Sequence, residues 1–159
     1  MQTDDDLLSA LDSLEEVGAK QFLVEAMAPA GVDLMIGVRR DPVFGPVVLF
    51  GLGGIIAEAY GDVAIRSVPA PPAEITAMVD ELQAFALLDG WRGGPVLNVD
   101  ELVTVVTALI DGLLSAPPGV EENEINHLRL TNHGLIASDA VINGAVINGG
   151  REVNHALTN

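Results

Sequence analysis

The chain has 159 residues, 49% of them hydrophobic and 19% charged, which is enough apolar material for one packed domain and excludes a disordered chain. Seven basic against 23 acidic residues give a net charge of −16, so no basic footprint exists for nucleic acid or for an anionic membrane surface. The absence of cysteine excludes disulfides, thiolate chemistry and cysteine-ligated zinc.

The acidic, amphipathic start MQTDDDLLSALDSLEE is unlike a signal peptide. The longest apolar run, PVVLFGLGGIIAEA, is too short and glycine-rich to span a bilayer, so a cytoplasmic location is expected. Over residues 4–17, Leu7, Leu8, Leu11 and Leu14 recur at helical intervals, with aspartates in the first turn and Gly18 at the end. QFLVEAMA and VDLMIGVRR read as two strands around Pro29-Ala30-Gly31. A loop from Asp41 to Pro46 leads into the strand VVLFG, which Gly53-Gly54 breaks, and Val63–Val68 reads as a further strand.

After a stiff connector at Pro69–Pro72, Ile75, Met78, Val79 and Leu82 mark one face of a helix. GWRGGP is a loop, and Asn98 with Glu101 forms a capping box for a helix over 99–114. The tail repeats AVING at 140–144 and 145–149, read as a strand end and turn; the lobe is drawn as residues 1–143 and the tail as 144–159. Hairpins rather than regular βαβ units predict an α+β fold.

The chemistry concentrates in EENEINHLRLTNHGLIASD, residues 121–139. A two-residue loop at Asn132-His133 sets Thr131 opposite Gly134 and Asn126 opposite Asp139, and alternation adds Glu124 and Glu122 to the same face. Hard oxygen donors gathered this way suit Mg²⁺ or Mn²⁺, through which an acidic domain can hold a polyphosphate. Spacing alone leaves a second reading open, an edge hairpin whose polar side faces water. GPVVLFGLGG is neither a P-loop nor a GxGxxG fingerprint. His127, His133 and His155 lie in or beside turns and are expected to be exposed, and no residue stands out as catalytic.

FLVEAMAPAGVDLMIGVRRDPVFGPVVLFGLGG resembles the ATP-grasp domain of the NDP-forming acyl-CoA synthetases, the group of ADP-forming acetyl-CoA synthetase and related protein acetyltransferases. IIAEAYGDVAIRSVP, LLDGWRGGP, EENEINHLRL and Ala-Ser-Asp follow in the family's order, from about Phe22 to Asp139. The resemblance implies the C-terminal lobe of an ATP-grasp fold, mostly antiparallel sheet with packed helices. By the same resemblance Glu25 lies beside the nucleotide base, Asp33 contacts the ribose hydroxyls, Asn126 and Asp139 hold Mg²⁺, and Glu124 flanks the metal. ATP and Mg²⁺ are thus the implied cofactors. Two positions depart from the family: His127 stands where proline follows the asparagine, and Asn123 where an apolar residue is usual.

The family's first lobe, which carries a lysine and a glycine-containing phosphate loop, has no counterpart in this sequence. The implied partners are therefore that N-terminal lobe and the CoA-ligase domains or subunit, with a homodimer completing the site in trans as a further option. The isolated chain is expected to be inactive. The alternative is a degenerate, non-enzymatic lobe acting as an assembly or regulatory module.

Overall fold

The computed structural model describes residues 3–54, 60–148 and 151–154. The IIAEA stretch at 55–59 and His155 lie outside them. Helix α1, Asp4–Glu16, begins at a capping box: Thr3 Oγ1 accepts from Asp6 N, and Asp6 Oδ2 accepts from Thr3 N, both at 3.2 Å. No α1 residue is buried; Leu7, Leu11 and Leu14, with Ala19 and residues 21–25, line a hollow of about 230 Å³. Residues 19–30 are coil with no strand, where a strand was expected over QFLVEAMA. Their alternation is strand-like, but a strand exists only when a neighbour takes its amides and carbonyls. Among the described residues none pairs with them, and Leu23, Val24 and Met27 stay exposed.

Strands β1, Val32–Asp41, and β2, Gly45–Leu52, form a hairpin in register from Leu34↔Leu52 to Asp41↔Gly45. Strand β3, Val63–Ser67, pairs with β2. Helices α2, Pro72–Asp80, α3, Phe85–Leu88, and α4, Val99–Ser115, follow. Strand β4, Val120–Thr131, turns into β5, Gly134–Ala137, and β6, Ala140–Asn148, continues along the same edge of β4 before pairing with β7, Arg151–Asn154. The result is a seven-stranded sheet in the order β3-β2-β1-β4-β6-β7, with β5 beside β4. Every strand pairing among the described residues is antiparallel.

The helices cover one side of this sheet. Leu34, Ile36 and Val38 of β1, Val48, Phe50 and Leu52 of β2, and Leu128 and Leu130 of β4 alternate toward Ile75, Met78 and Val79 of α2 and Leu102, Val106, Ile110 and Leu113 of α4. Asn98 Oδ1 caps α4 by accepting from Asp100 N at 3.1 Å and Glu101 N at 3.3 Å. Glu101 does not complete the expected capping box. Its Oε1 instead accepts from Leu135 N at 3.1 Å, because Gly134 has no Cβ to keep the carboxylate away. Arg66 of β3 pairs with Glu74 at 2.8 Å and with Glu81, holding α2 to the sheet and keeping the Glu81 carboxyl below its ordinary value.

Candidate functional site

The opposite side of the sheet, which α2–α4 leave open, carries the polar residues. The hairpin register follows from its turn: Thr131 faces Gly134 and Leu128 faces Ala137. Asn126 N donates to Asp139 O at 3.1 Å, and Ser138 N donates to His127 O at 2.9 Å. Asn126 and Asp139 therefore sit opposite one another, and the gap between β5 and β6 falls at Ser138-Asp139.

The pairing of β4 with β1 adds a feature that local spacing cannot reveal. Leu34 faces Leu128 and Ile36 faces Ile125, so Met35 alone opposes both Asn126 and His127. This is a β-bulge, a device that re-aims side chains beside ligand sites. It also switches the parity of β4: the helix-facing positions are Asn123 and Ile125 before it, and Leu128 and Leu130 after it. Glu124 and Asn126 alternate to the open side. Asn126 Oδ1 is buried with no hydrogen-bond partner, the only such side-chain atom among the described residues. An orphaned amide oxygen costs free energy unless something positive or protic meets it.

Glu122 faces Arg39 across β1 and accepts from Asn143 Nδ2 at 3.2 Å. Glu124 faces Gly37, and among the described residues no hydrogen-bond partner meets its carboxylate. Among the described residues no three His, Asp or Glu side chains form a metal-holding group of their own. The donors present, one amide oxygen with the Asp139 and Glu124 carboxylates, fit a Mg²⁺ ion that completes its shell with water and phosphate oxygens. Asn123, the second departure from the family pattern, is on the helix side. It is 8% exposed and lies against Gly112, where its oxygen can meet Leu113 N at 3.1 Å. It does not touch the open face.

Asp33 lies on the same open face, held by Arg129, whose Nε and Nη2 both donate to Oδ1 at 2.8 Å. Arg129 is anchored in turn by Nη1 donating to Pro29 O at 3.1 Å. The Asp33 carbonyl accepts from Gly53 N at 2.7 Å. Gly53 is required there, since a Cβ would lie 2.6 Å from Leu34 O. Beside Asp33 is a cavity of about 420 Å³, with Val32, Leu52, Leu87, Gly54 and His127 in its walls. A second hollow of about 300 Å³ adjoins it through Leu52 and Leu87 and contains Asp62, whose buried carboxylate accepts from Gln83 N at 2.9 Å and Ala84 N at 2.8 Å.

The structure thus brings Asp33, Glu124, Asn126 and Asp139 to one face. Glu25 is not with them; it is exposed on the coil and lines the hollow against α1. His127 and His133 are exposed as expected, but His127 also lines the Asp33 cavity, a role that no local pattern signals because it depends on the bulge.

An antiparallel sheet backed by helices, with oxygen donors on its free side and a cavity beside Asp33 that reaches Leu87 of α3, makes an α+β lobe suited to holding a ligand. The chain belongs to the ATP-grasp family: the family profile described as "ATP-grasp domain" matches residues 5–143. The fold is the C-terminal lobe of an ATP-grasp fold, as the resemblance implied. The chain is 34% identical over 118 residues to the β subunit of acetate–CoA ligase [ADP-forming] I of Pyrococcus furiosus, covering 74% of this chain and 50% of that one. It is 32% identical over 117 residues to acetate–CoA ligase [ADP-forming] I of Archaeoglobus fulgidus, covering 74% of this chain and 17% of that one. The chain therefore spans half of the first relative and a smaller part of the second. Among solved structures it is similar to the dinucleotide-forming acetyl-coenzyme A synthetase 1 of Ca. Korarchaeum cryptofilum in complex with coenzyme A and Mg-AMPPCP. That match has a TM-score of 0.77 at 30% identity, covering 89% of this chain and 64% of that one.

Proposed function

We propose that the chain is the ATP- and Mg²⁺-holding lobe of an ADP-forming acyl-CoA synthetase, a cytoplasmic ligase, and that residues 1–143 form the lobe and 144–159 a tail. The observation that carries this reading is the bulge in β4, which leaves the buried Asn126 Oδ1 without a partner beside Asp139, on the face that also carries Asp33. In this reading Asp33 accepts from ribose hydroxyls, Glu25 approaches the base from the coil, and Asn126 and Asp139 hold the metal with Glu124 beside them. When bound, Mg²⁺ neutralises charge on the transferring phosphoryl oxygens.

The chain's own residues orient the nucleotide and hold the metal. With a net charge of −16, the cations that grip the phosphates must come from a second lobe, and the acyl-CoA chemistry from further domains. The coverage of the relatives supports such partners.

Isothermal titration tests the proposal. Mg-ATP is expected to bind weakly, ATP with a chelator at least tenfold more weakly, and Asp139→Asn to remove most of the metal dependence. The isolated chain is expected to make no acyl-CoA. A flat titration under all conditions, with a partner lobe supplied, would sink the proposal and leave the assembly-module reading.

A further inference from the structure

Among the described residues, His127 is the one other ionisable side chain that lines the Asp33 cavity, and it stands on the bulge that distinguishes this strand. Asp33 spends only half its carboxylate on the protein: Arg129 takes Oδ1 twice, while Oδ2 turns toward Gly54. A methyl group placed on Gly54 would lie 3.6 Å from Asp33 Oδ2 and 3.6 Å from His127 Nε2. The two polar atoms therefore both lie beside Gly54 and are no further apart than twice that distance. Gly54 adopts a left-handed φ of 65° and contributes no side chain that would crowd either atom. Around it Val32, Leu52 and Leu87 supply apolar walls.

A carboxylate oxygen only accepts, whereas an imidazole nitrogen donates or accepts according to its tautomer. Such a pair, sharing the wall of one cavity, matches two adjacent hydroxyls on one ligand. Hydrogen bonds of about 2.8 Å at each hydroxyl bridge the gap. We infer that His127 and Asp33 together clamp the vicinal diol of a ribonucleoside, Asp33 taking one hydroxyl and His127 the other, so that His127 sets selectivity for the ribo sugar. The inference rests on the nucleotide-binding reading above and assigns His127 a binding role of its own.

Calorimetric titration of the chain with Mg-ATP, Mg-2′-deoxy-ATP and Mg-3′-deoxy-ATP tests it. In the wild type each deoxy analogue is expected to bind about tenfold more weakly than ATP. In His127→Ala one of the two penalties should vanish while the other persists, and His127→Gln, which restores a polar atom, should bring part of it back. Thermal unfolding of both variants should match the wild type, since His127 is exposed. Both penalties persisting in His127→Ala, or all three nucleotides weakening alike, would overturn the clamp while leaving nucleotide binding intact. No binding of Mg-ATP by the wild type would overturn both.

Discussion

Asp41 carries the clearest electrostatic signature of any single residue. Its Oδ1 accepts from Phe44 N at 2.9 Å and Val43 N at 2.8 Å, and Arg39 adds a favourable charge. These contacts, the Phe44 bond foremost, hold its carboxyl below the ordinary value, against a small opposing contribution from burial. The folded-state pKa is the depressed one, so the stabilisation of the β1–β2 turn is present above the unfolded-state pKa. It is lost as pH falls through the folded one. An NMR titration is expected to place the Asp41 midpoint below that of an ordinary aspartate, with the Val43 and Phe44 amide shifts following the same curve. A midpoint at or above the ordinary value would contradict this. Asp33 works differently: Arg129 fixes its orientation on one oxygen and leaves the other for the cavity.

At the scale of elements, Arg40 ties the end of α4 to the sheet. Its Nη2 donates to Leu113 O at 2.8 Å and its Nε to Val120 O at 3.2 Å, satisfying a carbonyl at the C-terminus of the helix. Arg40→Ala is expected to lower stability by about 1–3 kcal/mol, read as a drop in urea midpoint at unchanged slope. A change within error would mean that water replaces the guanidinium without loss. Most elements were legible because their signals are local: Asn98 caps α4, and the Asn132-His133 turn alone fixes the pairing of Thr131 with Gly134. The bulge at Asn126-His127 was not, because it exists only in the pairing of β4 with β1, about ninety residues away in sequence by the separation of Leu34 and Leu128. For the same reason residues 21–28 misled: Leu23, Val24 and Met27 carry strand propensity, but propensity makes no strand without a neighbour. Glu101 fitted a capping box, but its carboxylate found a better-placed amide at Leu135.

For the molecule as a whole, the net charge of −16 acts against compaction. The attractive pairs, Arg66 with Glu74 and Glu81 and Arg129 with Asp33, are partly exposed, and such pairs contribute roughly 0–1 kcal/mol each. Salt screens both, but the repulsion has far more members. The thermal midpoint is therefore expected to rise as NaCl goes from near zero to about 0.15 M, where the screening length shortens to about 8 Å. A falling midpoint would show that the ion pairs outweigh the repulsion. The division of the sheet was legible in outline from alternating apolar residues. Which face carries the ligand chemistry was not, since it follows from where the helices settle.

The extra residue in β4 serves the open face of the sheet and not its core. Deleting either Asn126 or His127 would restore an even ladder in which Leu128 still faces Leu34 and stays on the side of Ile125, so the core pairs would keep their places and only a position on the open face would be lost. Exchanging their side chains disturbs none of that packing. Neither the extra length of the strand here nor the identity of these two residues is dictated by the core. A lineage can thus revise positions 126 and 127, by substitution or by loss of one residue, while the core packing beneath them is carried forward unchanged.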